Sequence, residues 1–136
     1  MAPRPIQFTQ DELSHWAGMG DYVLIPPDRS YEIVLQYEGE PPHGDSYHML
    51  SLGDRRLPGF AWGCIFSMSA CSNFIAFSWM EQRFERLTTV VDVRLRQYFV
   101  LPSYIYHPRI EWPVVMDAVA TEQPYVFCGN EAWRTF

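Results

Sequence analysis

The sequence contains no lysine, and all ten of its basic residues are arginine. Sixteen acidic residues oppose them, which leaves a formal net charge of -6. Proteins that bind nucleic acid neutralise phosphates with lysine and arginine, so this balance argues against nucleic acid as a partner. An acidic protein is instead suited to attract a basic one.

The net negative charge comes entirely from the N-terminal part of the chain. Residues 1–53 contain two arginines and eight acids, a net charge of -6, whereas residues 54–92 and 93–136 each contain four arginines and four acids. Two interpretations stay open at this point. The acids either keep the protein soluble or form a surface that recognises a basic partner.

Long apolar segments are also missing. No apolar run approaches the roughly 20 residues that a membrane-spanning helix needs. The N-terminus has no apolar region before Thr9, so we expect no secretory signal, no membrane association and a cytoplasmic location. The three cysteines, Cys64, Cys71 and Cys128, cannot all pair within one chain and lack the spacing of zinc ligands. We therefore expect them to be small, buried hydrophobic residues.

The chain has 136 residues, of which 48% are hydrophobic, so we expect one domain over residues 1–136. Between Gly59 and Leu101, runs rich in Val, Ile, Phe and Tyr alternate with short polar turns, a pattern typical of adjacent antiparallel strands. We predict a mainly β fold, an antiparallel meander or sandwich of seven or more strands with a short N-terminal helix. The expected strands are 22–25, 31–37, 46–52, 61–69, 73–80, 87–93, 97–101 and 125–128.

Two segments carry helix signals. Thr9 and Glu12 have the spacing of a capping box, and Gly18 follows shortly after, so the sequence predicts a helix over residues 10–17. The segment from Val114 to Thr121 is compatible with a helix or a strand. The preceding proline at a first helical turn favours the helix.

The sequence lacks a P-loop, a dinucleotide fingerprint, a nucleophile elbow and a zinc-protease motif. We therefore expect a protein that is not an enzyme and needs no cofactor or metal. One alternative is an enzyme that uses His43, Asp45 and His48 to bind a metal or relay a proton. Another is a β domain that binds a small molecule in a pocket lined by its aromatic residues.

The segment from Phe66 to Trp79 reads Phe-Ser, a polar turn, and then Asn-Phe-Ile-Ala-Phe-Ser-Trp. This segment resembles the hairpin of a TolB-like or WD40-type propeller blade. The strands predicted at 89–93 and 97–101 resemble the next two strands of such a blade, so residues 66–101 are expected to form a blade-like meander. The chain is too short for a closed propeller of four or more blades.

The absence of lysine is a bias seen in GC-rich bacterial genomes. The chain also resembles bacterial immunity proteins in its small size, its acidity and its lack of lysine. That resemblance implies that the protein binds and neutralises a basic, toxin-like partner. The segment from residue 38 to residue 45 contains three acids and no base, and we expect it to form the working loop. Glu38, Glu40 and Asp45 would pair with the partner, while Tyr47 or Trp62 would supply an aromatic anchor.

Overall fold

The computed structural model describes residues 2–120 and 123–136, and these residues form strands and turns without any helix. The strands are β1 (Arg4–Gln7), β2 (Ser14–Trp16), β3 (Tyr22–Ile25), β4 (Ile33–Gly39), β5 (Tyr47–Leu52), β6 (Arg55–Arg56), β7 (Phe60–Met68), β8 (Phe74–Met80), β9 (Leu87–Asp92), β10 (Gln97–Val100), β11 (Pro108–Glu111), β12 (Val114–Asp117), β13 (Tyr125–Val126) and β14 (Arg134–Thr135). The described part accordingly holds no helical segment with the length and apolarity needed to cross a membrane.

Eleven strands form one mixed sheet in the order β1-β3-β4-β5-β7-β8-β9-β10-β14, with β2 beside β7 and β6 beside β5. The pair β1 and β3 is parallel, and the other neighbours are antiparallel. The consecutive neighbours β7 to β10 confirm the antiparallel arrangement predicted for the stretch from Gly59 to Leu101. Strands β11, β12 and β13 form a second, separate antiparallel sheet.

Strand β8 is buried along its whole length because both of its faces are covered. On one face, Ile75, Phe77 and Trp79 join an apolar cluster that gathers side chains from β3 to β10. On the other face, Phe74 and Ala76 pack against the small sheet. They form one apolar cluster with Ile110 and Val115 of that sheet and with Phe127, which follows β13. Burial on both sides explains why this strand reads as a nearly continuous apolar run.

The helix predicted over residues 10–17 is wrong, because this segment forms a tight turn followed by β2. The Glu12 N–H does donate to the Thr9 hydroxyl at 3.1 Å, but the Thr9 N–H and the Glu12 carbonyl also bond to each other, which closes a turn. An isolated helix of about eight residues is marginal. Pairing with β7 instead satisfies the backbone, since the Met68 N–H donates to the Leu13 carbonyl at 2.8 Å.

The helix favoured for residues 114–121 is also wrong over its described part. Val114–Asp117 is strand β12, the central strand of the small sheet, and Thr121 lies outside the described residues. Val115 is fully buried between the two neighbouring strands and the large sheet. Two β-branched residues at the start of this segment favour the strand over a single helical turn.

Gly59 and Gly129 both have a positive φ, 73° and 96° respectively, but their surroundings differ. A Cβ atom at Gly59 would overlap the Met80 carbonyl oxygen and lie 2.9 Å from Trp79 Nε1. A Cβ atom at Gly129 would have no heavy atom within 4 Å. Alanine substitutions at the two positions therefore measure separately the free-energy cost of the backbone conformation and the cost of steric crowding.

We predict that Gly129→Ala lowers the free energy of unfolding by about 1 kcal/mol, the cost of the left-handed conformation for a residue with a Cβ. Gly59→Ala should lower it by about 3 kcal/mol, since overpacking adds to the same conformational cost. Urea denaturation with an unchanged m-value measures both losses. Equal losses in the two variants would show that the crowding at Gly59 is relieved by small shifts.

Candidate functional site

The acidic loop, defined as residues 38–45, comprises the last two residues of β4 and most of the connection from β4 to β5. The pairing of these strands shifts register between Tyr37 and Gly39, and Gly39 lies opposite Tyr47. A Cβ atom at Gly39 would lie 3.1 Å from the Tyr47 hydroxyl oxygen, so the glycine lets the strand pass close to this ring. Glu38 and Glu40, on either side of it, are exposed to solvent.

Asp45, at the end of the acidic loop, is held in place by two neighbours. The Trp62 indole N–H donates to the Asp45 backbone carbonyl at 3.1 Å. Arg86 Nη1 lies 3.5 Å from Asp45 Oδ2, and the Arg86 guanidinium carbon lies 4.0 Å from the centre of the Trp62 ring. Asp45 is thus positioned by an arginine from the loop between β8 and β9.

Tyr47 and Trp62 lie beneath the surface, with only 8% and 5% of their areas exposed. The Phe84 ring covers both, with its centre 6.2 Å from that of Tyr47 and 5.3 Å from that of Trp62. Phe60 packs edge-on against Tyr47 at 5.4 Å. These aromatic residues hold the loop between β8 and β9 against the acidic loop, and the Tyr47 and Trp62 rings are not presented to solvent.

The eight acids of residues 1–53 are mostly without a cationic partner. Among the described residues, Asp45 is the only one of the eight that lies within 4 Å of an arginine. Four of the five strands in this part of the chain are neighbours, in the order β1-β3-β4-β5. The charge asymmetry of the sequence therefore becomes a spatial asymmetry across the sheet.

The structure separates the three residues of the catalytic alternative into different environments. His43 is exposed, Asp45 contacts Arg86, and His48 is fully buried. His48 Nε2 lies 2.9 Å from the Gly20 carbonyl oxygen, and because a carbonyl only accepts, Nε2 is the protonated nitrogen. In the part of the chain that the structure describes, no three His, Cys, Asp or Glu side chains come together as metal ligands do.

A second feature near the acidic loop is an interruption of β7. Ala61 pairs with Trp79 and Phe66 pairs with Phe77, so that the four residues 62–65 lie opposite Ser78 alone. On its other side, β7 pairs with β5 through Ala61 and Trp62 and with β2 from Ile65 to Ser67, so its neighbour changes within the bulge. Gly63, at a φ of 145°, passes so close to Ser78 that a Cβ atom there would lie 2.9 Å from the Ser78 Cβ.

A cavity of about 220 Å³, which we call the bulge cleft, opens above this interruption. It is lined by Trp16, Asp45, Gly63, Cys64, Ile65, Ser78, Tyr104, Tyr106 and His107. Sequence reasoning missed this cleft, since four of its nine lining residues come from the segment predicted as a helix and from the loop before β11. The signal present in the sequence is Gly63, because a glycine inside a strand often marks a bulge.

A larger cavity of about 390 Å³ is relevant to the small-molecule alternative. Asp28, Cys71, Asn73, Arg94 and Arg96 are among its lining residues, and Tyr31 is the one aromatic residue there. The aromatic residues of the central strands, including Phe66, Phe77 and Trp79, are fully buried in the core. Charged, polar and aliphatic residues, Leu52 and Val93 among them, therefore line this cavity, unlike the aromatic pocket that the alternative assumes.

No protein-family model matches the chain, and neither curated proteins nor solved structures gave a match to it.

We predict that His48 makes stability depend on pH. Burial lowers the pKa of His48 below the ordinary 6.5, so the unfolded chain binds a proton more readily than the folded protein does. The free energy of unfolding should therefore fall as pH decreases below about 6.5, through the interval between the two pKa values. Denaturant unfolding measured from pH 7 to pH 5 tests this.

The variant His48→Gln should lose most of this pH dependence, while His43→Gln, which replaces an exposed histidine in the adjoining loop, should retain it. An identical pH profile for wild type and His48→Gln would assign the effect to other groups.

Proposed function

We propose that this protein is a protein-binding module that neutralises a basic partner, in the manner of a bacterial immunity protein. The observation that carries the proposal is the unpaired acidic charge on the first part of the chain. Seven of its eight acids lie more than 4 Å from every arginine among the described residues, so their charge is available to a partner. Unpaired charge of one sign accelerates association with a molecule of opposite charge.

In this proposal Glu38 and Glu40 attract and pair with arginine or lysine of the partner. Both are exposed. Glu38 is one of the last two residues of β4, and Glu40 begins the connection that is fixed at its far end by the contacts of Asp45 with Trp62 and Arg86. A fixed loop loses little conformational freedom on binding, which lowers the cost of association. Tyr47 and Trp62 support the surface from below and do not contact the partner.

The test reverses one charge at a time and measures binding kinetics. Glu38→Arg and Glu40→Arg should each lower the association rate constant several-fold and leave the dissociation rate nearly unchanged, because exposed charges mainly affect the encounter. The wild-type affinity should also fall as salt is raised. Surface plasmon resonance with a purified basic protein, first the product of the neighbouring gene, measures both effects.

Asp54→Arg is the matched control. Its side chain is 95% exposed, it changes the net charge by the same amount, and it follows β5 at the opposite end of the β4-β5 ladder from the acidic loop. The control should bind like the wild type. If no basic partner is found, or if all three variants bind equally well at every salt concentration, the proposal is wrong.

A further inference from the structure

We propose that the bulge cleft binds the side chain of an arginine, and this inference depends on the proposed function for the source of that arginine, a basic partner protein. Asp45 belongs to both regions, because it is the last residue of the acidic loop and also lines the cleft. The acidic loop would then attract the partner, and the cleft would select one of its side chains.

The size of the cleft limits its ligand. Its volume of about 220 Å³ is below the roughly 300–1,000 Å³ of pockets that take whole small molecules. The bulge forms one side of it, where Gly63 brings the backbone close to Ser78. A cleft of this size, built on irregular backbone in the middle of a sheet, suits a single extended side chain.

Two exposed aromatic residues form walls of the cleft. Trp16 is 64% exposed and Tyr106 is 61% exposed, values that are unusual for such large rings. The six-membered ring of Trp16 lies against Gly18, where a Cβ atom would overlap it. Contact with Gly18 orients the Trp16 ring, and the exposed remainder is available for a planar cation to stack on.

The charge in the cleft is also suited to a cation. Asp45 is the only carboxylate among the lining residues, and no arginine lines the cleft. Burial raises the pKa of the Cys64 thiol, which therefore stays protonated and neutral at pH 7. The remaining ionisable side chains in the lining are His107 and the two tyrosines, Tyr104 and Tyr106.

Arg86 does not saturate Asp45. Its nitrogen lies 3.5 Å from Oδ2, and no side-chain hydrogen bond within the described residues involves Oδ1. A carboxylate has about four acceptor positions, so it can accept from a second guanidinium. Arginine fits better than lysine because its flat guanidinium stacks on aromatic rings while its N–H groups bond to the carboxylate.

The experiment titrates ¹⁵N-labelled protein with blocked peptides of the sequence Gly-X-Gly, in which X is arginine, lysine or citrulline. Citrulline has nearly the shape of arginine without its charge. The arginine peptide should shift the Trp16 indole resonance and the backbone amides of Cys64 and Ile65, and its dissociation constant should be at least fivefold lower than that of either other peptide.

Asp45→Asn should weaken binding of the arginine peptide about tenfold, as expected for the loss of a charge-assisted hydrogen bond. Asp54→Asn, which makes the same change at an exposed carboxylate outside both the cleft and the acidic loop, is the matched control and should bind like the wild type. Gly18→Ala is a second variant that displaces the Trp16 ring without changing charge, and it should also weaken binding. Its backbone has no positive φ, so the fold should tolerate it.

Equal binding of the arginine and citrulline peptides, equal losses for Asp54→Asn and Asp45→Asn, or shifts that omit Trp16 would each overturn the inference. The proposed function fails separately, if no basic protein binds in a way that depends on Glu38 and Glu40. A basic protein whose binding depends on those two residues but is unchanged by Asp45→Asn and Gly18→Ala would support the function and overturn the arginine site.

Discussion

The interruption of β7, where residues 62–65 face Ser78 alone, is the constraint on which most of the architecture depends. A regular strand keeps the same neighbour along its length, whereas β7 exchanges β5 for β2 at this point. The exchange gives the N-terminal segment a place in the middle of the sheet, and it leaves a cleft where the two neighbours diverge. Gly63 makes the interruption possible, because its backbone conformation and its approach to Ser78 both exclude a larger residue.

Much of the sheet could be predicted from the sequence because its signals are local. Strands β8, β9 and β10 lie within two residues of their predicted bounds, since short apolar runs between polar turns have few other stable arrangements. The segment of β2 shows where local signals fail. Its capping-box residues are used in a turn, and the strand that pairs with it begins more than 40 residues later in the chain, which no local pattern reveals.

The candidate site also combines features that local sequence signals predict with features that depend on residues distant in the chain. A segment rich in proline, glycine and acids predicts a loop over residues 38–45, and the structure has this loop from Glu40 onward, whereas Glu38 and Gly39 still belong to β4. The burial of Tyr47 and Trp62 depends on Phe84, a residue of a charged loop that gives no sign of folding back over them. Pairing of Asp45 with Arg86 likewise joins two loops that only the finished sheet brings together.

The two end strands of the main strand order restrict how other molecules can attach to the large sheet there. One edge is β1, where Pro5 has no N–H to offer, and the other is β14, which is only two residues long. Neither edge presents the run of backbone donors and acceptors that strand addition requires. A molecule that binds at either end of this strand order would therefore have to be recognised through side chains, by charge and shape instead of by main-chain pairing.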